Sequence, residues 1–354
     1  MLENGQHPDR VAAEAAYRSV LEANPAHRTA AINLVAMFID DGRNAEAIEL
    51  LRQSIQHGQD TCKLRFLLAF TLRLDDQFDE AIAVLKMLVD ETSDVAAWEM
   101  LGRCFVESKQ MDAAVAHYER WLSVQPGQPV AQHMLAALQG GHVPGRAEAR
   151  YVVDVFDAFA ETFEPMLRKL EYRGPTAVAE ILSYYLPDAQ PKSLRVLDAG
   201  CGTGLIGPVL QEYARELTGV DLSPAMLAMA EQKHIYDSLI CKDLEDYLQG
   251  QLETFDLIVA ADTFIYFGDL SRVLKLSLEA LRADGWLIFS VEEGPLAEDH
   301  YFLQPHGRYA HSPQYLMDLL VENGIHGGYM NRVALRKEGN KPVFALLIAA
   351  QRVP

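Results

Sequence analysis

The chain has 354 residues, which exceeds the usual size of one domain and predicts two. Hydrophobic residues make up 49% and charged residues 23%, a composition that excludes a mainly disordered or collagen-like chain. The 50 acidic residues outnumber the 31 basic ones, so the net charge is −19. Because such a chain repels phosphate backbones and shows no dense Lys/Arg run, we expect no nucleic-acid partner.

The sequence shows no targeting or membrane-spanning pattern. The first residues lack both a basic and an apolar region, and the longest apolar stretches fall far short of the ~20 residues that a membrane helix needs. The four cysteines are scattered without a C-x-x-C pair, which predicts neither a disulfide framework nor a zinc site. We therefore expect a cytoplasmic protein with no membrane partner.

Residues 1–141 contain an internal repeat. Alanine recurs at intervals of 34, 34 and 33 residues, and a large side chain follows four residues after each one. The alanines are Ala13, Ala47, Ala81 and Ala114, and the large side chains are Tyr17, Leu51, Leu85 and Tyr118. The last copy reads W-x-x-L-G-x-x-F and then A-x-x-x-Y, which resembles the tetratricopeptide repeat. The resemblance implies an α-solenoid of paired helices, about three and a half repeats long.

The copies are uneven. Gln59 and Ser93 stand where the pattern has proline, and the first copy lacks most of its opening helix. Residues 130–138 predict a closing helix that covers the last apolar face of the solenoid. Repeats of this kind bind proteins, so we expect a protein partner or a homodimer through this domain. Packing on the second domain alone is equally compatible with the sequence.

Glycine and proline cluster at residues 140–145 (GGHVPG), where the helical periodicity stops. This predicts a repeat domain over residues 1–141, a linker over 142–150 and a second domain over 151–354. The second domain is predicted to contain helices at residues 151–163, 176–185, 205–214 and 313–321, and strands at 194–197, 217–220, 239–240, 255–260, 286–291, 329–335 and 343–350. The alternation predicts a doubly wound, mostly parallel α/β fold with seven strands.

Residues 196–204 (VLDAGCGTG) carry the main functional signal. A hydrophobic strand runs into a glycine-rich turn and then a helix, so a ligand can approach the backbone at a helix N-terminus. Asp221 ends a second strand 21 residues after Gly200, where a carboxylate can accept hydrogen bonds from ribose hydroxyls. Gly202, Gly204 and Gly207 also match the G-x-G-x-x-G fingerprint of NAD-dependent oxidoreductases.

With Asp198 included, the segment reads D-x-G-x-G-x-G and resembles motif I of class I S-adenosylmethionine-dependent methyltransferases. Residues 221–227, 241–244, 255–262 and 281–287 resemble the later motifs of that family in order and spacing. The resemblance implies S-adenosyl-L-methionine as the cofactor and favours a methyltransferase over an oxidoreductase or a non-catalytic cofactor-binding scaffold. The cofactor-binding residues that it implies are Tyr172, Asp198, Gly200, Gly202, Gly204, Asp221, Leu222, Met226, Asp243, Leu244 and Asp262.

The acceptor site of a doubly wound fold lies at the carboxyl ends of the strands, here near residues 262–267 and 292–311. The Asn/Asp-Pro-Pro-aromatic motif of amide and nucleobase N-methyltransferases is absent from residues 262–267. Residues 299–312 are rich in His, Tyr and Arg, but their spacing fits no ready metal signature, so no metal is predicted. We expect Tyr266, His300 and His311 to be catalytic, and His306, Arg308 and Tyr309 to bind substrate. An exposed loop that folds over the end of the sheet is as compatible with this segment.

The predicted function is methyl transfer from S-adenosylmethionine to an O, N or C atom of a small molecule. The repeats would then recruit the substrate or a partner, or join two copies of the chain. The alternative is a protein or carrier-bound substrate that the repeats recruit. The sequence does not identify the methyl acceptor.

Overall fold

A computed structural model describes residues 8–58, 60–140, 143–295, 300–325, 329–338 and 341–353. Its internal contacts divide into two compact units, Met1–His117 with Glu164–Lys169, and Tyr118–Phe163 with Leu170–Pro354. This division falls inside the last repeat, whereas the predicted domain boundary lies after residue 141. That boundary stays a prediction, and Gly141 and His142 beside it, like Gln59 and Asp299, lie outside the described residues.

The first unit is built from paired helices. Their bounds are α1 Pro8–Ala23, α2 Arg28–Asp40, α3 Asn44–Gln56, α4 Cys62–Leu74, α5 Phe78–Glu91, α6 Val95–Glu107 and α7 Met111–Val124, the last of which continues into the second unit. The repeat alanines Ala47, Ala81 and Ala114 are fully buried, so the paired helices can approach closely. Ala13 is only partly buried. The helix α1 that carries it corresponds to the second helix of a repeat, and no helix in the described residues precedes it to cover this alanine. The predicted α-solenoid is confirmed.

The segment Glu164–Lys169 belongs to the first unit through charged contacts at helix ends. Lys169 Nζ donates to the carbonyl oxygen of Arg73 at 2.8 Å and to Asp76 at 2.7 Å. Arg168 donates to Asp40 at 2.6 Å. The segment is therefore held at the C-terminal ends of α2 and α4.

The second unit is an α/β fold with further helices before the sheet. The helices are α8 Pro129–Gln139, α9 Ala149–Phe159, α10 Phe163–Lys169 (only its first residue lies in this unit), α11 Gly174–Tyr185, α12 Gly207–Gln211, α13 Pro224–Glu231, α14 Leu244–Leu248, a 3₁₀ turn Phe264–Tyr266, α15 Ser271–Ala280 and α16 Pro313–Glu322. The strands are β1 Leu194–Ala199, β2 Ala214–Asp221, β3 Ser238–Cys241, β4 Phe255–Ala260, β5 Leu281–Glu293, β6 Tyr301–Leu303, β7 Tyr309–His311, β8 Tyr329–Glu338 and β9 Lys341–Gln351.

Seven of these strands form the predicted sheet. Strands β3, β2, β1, β4 and β5 run parallel in that spatial order. Strand β9 pairs antiparallel with β5, and β8 pairs antiparallel with β9. Successive residues of β1 face opposite sides, since Val196 and Leu197 belong to two different hydrophobic clusters. The sheet is therefore covered on both faces. Because the parallel strands run in one direction, their carboxyl ends lie together at one edge of the sheet.

Two predicted helices differ from the observed ones. The helix predicted over residues 205–214 is limited to Gly207–Gln211, because Ala214 already begins β2 and pairs with Leu194. The helix predicted over residues 151–163 ends at Phe159, and a second helix begins at Phe163. Within the part of the chain that the structure describes, no helix is long and apolar enough to cross a membrane.

The segment predicted as an inserted loop before α16 is a β-hairpin. Strands β6 and β7 pair antiparallel, and β7 joins the end of β5 through Glu292 and Ala310. Gly307 forms the turn with a φ of 85°. Strands of three residues are too short for an alternating pattern to reveal them in the sequence.

Candidate cofactor and acceptor site

The glycine-rich turn follows β1 and has three residues in the left-handed backbone region. Gly200, Gly202 and Gly204 have φ values of 75°, 53° and 79°. A Cβ at Gly200 would lie 2.3 Å from Thr263 Oγ1, whereas no atom lies within 4 Å of a Cβ at Gly202. The turn therefore packs tightly at Gly200 and is open to a ligand at Gly202.

Asp198 is buried at the end of β1 beneath this turn. Its Oδ2 accepts a hydrogen bond from Tyr236 Oη at 2.7 Å. Burial raises the pKa of Asp198 to about 7, although the bond from Tyr236 opposes the shift. The Tyr236 ring fills the space beside Gly204 and Gly207, where a Cβ would come within 2.9 Å of it. Tyr236 thus supports both the predicted acid and the turn.

Asp221 lies beside the glycine turn, as the motif order predicts. Its Oδ2 accepts from Gly202 N at 2.8 Å and its Oδ1 accepts from Ser223 N at 2.8 Å. Burial raises the pKa of Asp221, and the backbone donors partly offset that effect. The backbone N–H of Leu222 is a third donor to this carboxylate. A carboxylate has about four acceptor positions, so Asp221 retains capacity for a ribose hydroxyl.

The segment after Asp221 is fixed at the start of α13. Ser223 Oγ accepts from Met226 N at 3.0 Å and donates to Asp157 of α9 at 2.5 Å. Met226 is fully buried and Leu244 is 6% exposed, while Leu222 is partly exposed. Of the predicted adenine contacts, Leu222 is therefore the more accessible, and Met226 has the position of a core residue.

Asp243 already has partners for both carboxylate oxygens. Its Oδ1 caps α14 by accepting from Glu245 N at 3.0 Å, and its Oδ2 accepts from the Arg146 guanidinium. Arg146 also donates to Glu245 at 2.9 Å and lies 4.9 Å from the centre of the Phe267 ring. An adenine amino group would share Asp243 with this arginine, which comes from the predicted linker.

Asp262 lies at the end of β4 in the left-handed region, with a φ of 53°. Its backbone N–H donates to Ser290 Oγ at 2.8 Å, and Ser290 Oγ donates back to the Asp262 carboxylate at 3.1 Å. Its Oδ2 lies 3.8 Å from an Arg336 nitrogen, and its side chain is hydrogen-bonded to the partly buried Tyr172. Burial raises the pKa of Asp262, although the charge of Arg336 opposes the change.

Glu292 at the end of β5 is the centre of a buried charged cluster. It accepts from Arg308 Nε at 2.6 Å and from the Arg336 guanidinium, and His306 Nε2 lies 3.3 Å away. Although burial acts to raise it, the pKa of Glu292 is held well below its usual range by Arg308, His306 and Arg336. Glu292 is therefore an ionised anchor for the hairpin and β8, and not a proton acceptor.

A bulge in β8 brings this cluster together with Tyr172. The register shifts between Ala334 and Arg336, which leaves the carbonyl oxygen of Leu335 free to accept from Arg173 N at 2.8 Å. Lys337 N then donates to the carbonyl oxygen of Leu170 at 2.6 Å. The segment that carries Tyr172 is thereby fixed along β8.

The predicted catalytic residues have different surroundings. Tyr266 lies in the 3₁₀ turn after β4, with its ring edge-on to Phe156 at 5.4 Å. His300 is exposed at the start of the hairpin and stacks on Phe302 at 5.0 Å. The catalytic roles of Tyr266 and His300 stay predictions.

The positions of His311 and Tyr309 argue against the predicted roles. His311 is fully buried, and its Nε2 donates to the carbonyl oxygens of Phe267 and Gly268 at 2.9 and 3.0 Å. Burial lowers the pKa of His311 to about 4, so the ring is neutral and enclosed. Tyr309 is also fully buried, and its hydroxyl donates to the carbonyl oxygen of Pro144 at 2.9 Å. Both residues position the hairpin. By contrast, His306 and Arg308 do meet at Glu292.

Several site residues were not singled out by the sequence reasoning. They are Arg146, Asp157, Tyr236 and Arg336, together with Thr263 and Glu292, which lay only within the ranges predicted for the acceptor site. None forms a motif, and each meets its partner across a large sequence separation. Among the described residues, no group of three His, Cys, Asp or Glu side chains could hold a metal ion.

A family profile described as a methyltransferase domain matches residues 168–341, and one described as a tetratricopeptide repeat matches residues 9–60 and 72–129. The chain carries a methyltransferase domain preceded by tetratricopeptide repeats. The matched methyltransferase domain contains the glycine turn, Asp221 and the cluster around Glu292. The predicted family resemblance and fold class are thereby confirmed.

Curated relatives cover only part of the chain. A malonyl-acyl-carrier-protein O-methyltransferase of Priestia megaterium is 32% identical over 35% of this chain and 44% of its own length. A ubiquinone biosynthesis O-methyltransferase of Coxiella burnetii is 30% identical over 31% of this chain and 48% of its own length. The chain thus spans less than half the length of these relatives.

Among solved structures, the Burkholderia thailandensis 1,6-didemethyltoxoflavin-N1-methyltransferase, with bound 1,6-didemethyltoxoflavin and S-adenosylhomocysteine, is 20% identical. The match covers 60% of this chain and 94% of that one, with a TM-score of 0.47.

Proposed function

We propose that the chain is an S-adenosylmethionine-dependent methyltransferase that acts on a small molecule. The observation that carries the proposal is the pairing of Asp221 with Gly202 inside the matched methyltransferase domain. The open face of Gly202 and the remaining acceptor capacity of Asp221 fit a nucleoside ligand. The same domain match favours this function over an NAD-dependent oxidoreductase.

When bound, S-adenosylmethionine would supply an electrophilic methyl group on a sulfonium. Asp221 would hold the ribose of the cofactor. The backbone of the glycine turn at Gly202 would lie against the cofactor. The chain itself must align the acceptor, exclude water and remove a proton where the acceptor carries one. We propose Asp262 for the last task, because burial raises its pKa and Tyr172 and Ser290 fix its orientation.

The first experiment is calorimetric titration with S-adenosylhomocysteine. Asp221→Ala is expected to weaken binding by about tenfold or more, since charge-assisted hydrogen bonds are worth about 1.5–3 kcal/mol. Asp188→Ala is the matched control, because Asp188 is an exposed loop carboxylate. No binding to the unaltered protein would refute the proposed function, and unchanged affinity in Asp221→Ala would remove Asp221 from the site.

A carrier-bound acceptor is the second candidate. One relative is named as a malonyl-acyl-carrier-protein O-methyltransferase, and the repeats offer a surface for a protein. A groove of about 430 Å³ lies between α1, α2 and α3, with Leu34 and Phe38 at its base and Glu22, Glu46 and Glu49 among its walls. Glu46 is paired with Arg18 and Arg43, so Glu22 and Glu49 carry the excess negative charge of the groove, which a basic or mixed partner surface would complement.

A comparison of two methyl acceptors separates the candidates. Malonyl groups on an acyl carrier protein and on free pantetheine present the same reacting carboxylate. A kcat/KM at least about tenfold higher for the carrier form would support recruitment of a carrier. Equal values, or turnover only of unlinked small molecules, would support the first proposal.

Two further predictions concern the setting of this activity. The four cysteines are free thiols, which fits the reducing cytoplasm that we propose as the location. The absence of a nucleic-acid partner stays a prediction from the net charge of −19.

A further inference from the structure

The helix α8 belongs to the repeats by sequence prediction but packs inside the second unit. Its N-cap Gln128 donates to Asp154 of α9 at 3.3 Å. The His133 ring stacks on the Tyr151 ring of α9, with their centres 3.9 Å apart. Instead of ending the solenoid against solvent, α8 thus forms a layer with α9.

His133 makes a buried hydrogen bond to the turn of the β6–β7 hairpin. Its Nε2 donates to the carbonyl oxygen of Gly307 at 2.8 Å, across 174 residues of sequence. His133 is 7% exposed, and burial lowers its pKa, so the ring is a neutral donor at Nε2. A buried carbonyl that lost this donor would be left without compensation for its lost hydration.

The turn itself is seated directly on α8 and α9. Gly307 has a φ of 85°, and a Cβ there would lie 2.7 Å from Tyr151 Oη and 2.8 Å from Met134 Sδ. Gly307 N donates to the carbonyl oxygen of Gln304 at 2.8 Å and so closes the turn. Only glycine fits both this backbone conformation and this contact.

The residues on either side of Gly307 reach the charged cluster at the end of β5. His306 Nε2 lies 3.3 Å from Glu292, and Arg308 Nε lies 2.6 Å from it. We propose that His133 is a positioning residue for the acceptor side of the methyltransferase site, because it fixes the turn that delivers His306 and Arg308 to Glu292. This inference rests on the proposed function for the meaning of the acceptor side.

The position of α8 affects how the role of the repeats can be tested by deletion. A helix that follows the last repeat holds a wall of the catalytic domain in place. Removal of residues 1–141 would therefore remove α8 and disturb the hairpin, so such a deletion does not isolate the role of the repeats.

The test uses full-length variants that separate the hydrogen bond from the packing. His133→Phe keeps the ring on Tyr151 but lacks the donor, and His133→Gln restores a donor to the Gly307 carbonyl. Gly307→Ala adds the clash, and Gly324→Ala is its matched control, because Gly324 has a φ of 79° with no atom within 4 Å of a Cβ. Hydrogen exchange of residues 301–311, the ¹⁵N signals of the His306 imidazole and titration with S-adenosylhomocysteine are measured in each.

We expect His133→Phe and Gly307→Ala to speed amide exchange in the hairpin about tenfold or more and to shift the His306 signals. His133→Gln and Gly324→Ala should retain the exchange rates and signals of the unaltered protein. Affinity for S-adenosylhomocysteine should stay within about twofold in all four, since Asp221 and the glycine turn are not touched.

Unchanged His306 signals and exchange rates in a folded His133→Phe variant would overturn the positioning role, and the proposed function would survive. If His133→Phe does not fold, Gly307→Ala against Gly324→Ala tests the seating of the turn on α8 and α9, and unchanged His306 signals in Gly307→Ala would overturn the proposal that this seating delivers His306 to Glu292. Failure of the unaltered protein to bind S-adenosylhomocysteine would instead refute the proposed function and, with it, the acceptor role of the hairpin.

Discussion

At the scale of single residues, neighbours decide whether a buried carboxylate is ionised. Asp198 and Glu292 are both buried at strand ends. Asp198 has one hydroxyl donor, and burial raises its pKa to about 7. Glu292 has two arginines and a histidine, and its pKa is held well below its usual range. The same residue class therefore supplies a titrating group at one strand end and a fixed anion at another.

The raised pKa of Asp198 predicts a pH-dependent stability. Between its ordinary value of 3.8 and about 7, the carboxyl is protonated in the folded state and ionised in the unfolded state. Its contribution therefore favours folding below this range and is lost as pH rises toward 7, by up to about 1.4 kcal/mol per pH unit. We expect Asp198→Asn to remove this slope from the unfolding free energy of the ligand-free protein.

Urea unfolding at several pH values between about 5 and 8 measures the slope. Tyr236→Phe is the companion variant, because loss of the hydroxyl donor should raise the pKa of Asp198 further and extend the slope to higher pH. Identical slopes in the unaltered protein and Asp198→Asn would show that Asp198 is ionised in the folded state.

The two arginines of β8 offer a matched test of burial. Arg336 is 4% exposed and binds the buried Glu292, whereas Arg332 is 53% exposed and binds the partly exposed Glu293. Arg336→Met removes one charged partner of Glu292 but leaves Arg308 and His306 in place, so it should lower the unfolding free energy by about 1.5–3 kcal/mol. Arg332→Met should cost about 1 kcal/mol or less.

Chemical denaturation of both variants checks this difference. Equal losses of unfolding free energy would show that the pair at Glu292 is as solvated as the pair at Glu293.

At the scale of elements, the functional groups lie at or just after the carboxyl ends of the strands. Gly202 lies in the turn after β1, Asp221 is the last residue of β2, and Asp262 lies between β4 and the 3₁₀ turn, so all three are at one edge of the sheet. Parallel strands place their carboxyl ends together, so residues far apart in sequence share a site. The β6–β7 hairpin also contributes to this edge, because it supplies the His306 and Arg308 side chains that contact Glu292.

The open face of the glycine turn gives a prediction at this scale. Gly202→Ala and Gly58→Ala impose similar backbone strain, since both glycines have positive φ and no atom within 4 Å of a Cβ. Each should lose about 1–2 kcal/mol of stability. Only Gly202→Ala should lose affinity for S-adenosylhomocysteine, by about tenfold or more, because its Cβ would occupy ligand space.

Thermal unfolding and calorimetric titration of the two variants provide the readout. Full affinity in Gly202→Ala would mean that the ligand does not approach the turn at this residue.

At the scale of the whole molecule, the chain has two compact units with different chemistry. The first is a set of helix pairs, and the second contains the sheet and the candidate site. A ligand that binds only folded protein stabilises the unit that holds it. Binding should therefore act unequally on the two units.

S-adenosylhomocysteine at about 100 times its Kd should raise the opening free energy of β1 and β2 by about 2.7 kcal/mol. Amides of α2 to α5 should keep their exchange rates, and Asp221→Ala at the same ligand concentration serves as the control. Hydrogen exchange with mass spectrometry measures both. Equal protection across α2 to α5 would contradict separate responses of the two units.

Local sequence patterns predicted most of the helices and strands and the cofactor-binding motif. Alanines at regular intervals predicted the helix pairs, and the observed β4 coincides with the predicted residues 255–260. By contrast, the hairpin at residues 301–311 escaped detection because its strands have three residues each. The sequence predicted that the histidines there form a site, yet His311 is fully buried.

The length of 354 residues and the repeat period determined that the chain has a solenoid and an α/β domain, since hydrophobic periodicity is a local property. The glycine turn and Asp221 were equally readable, because a strand, a turn and a helix N-terminus are adjacent in sequence. Only the tertiary structure placed Tyr236 on Asp198, Arg336 on Glu292 and His133 on Gly307. Those contacts join residues 38, 44 and 174 positions apart, so they depend on sheet order and packing and leave no period in the sequence.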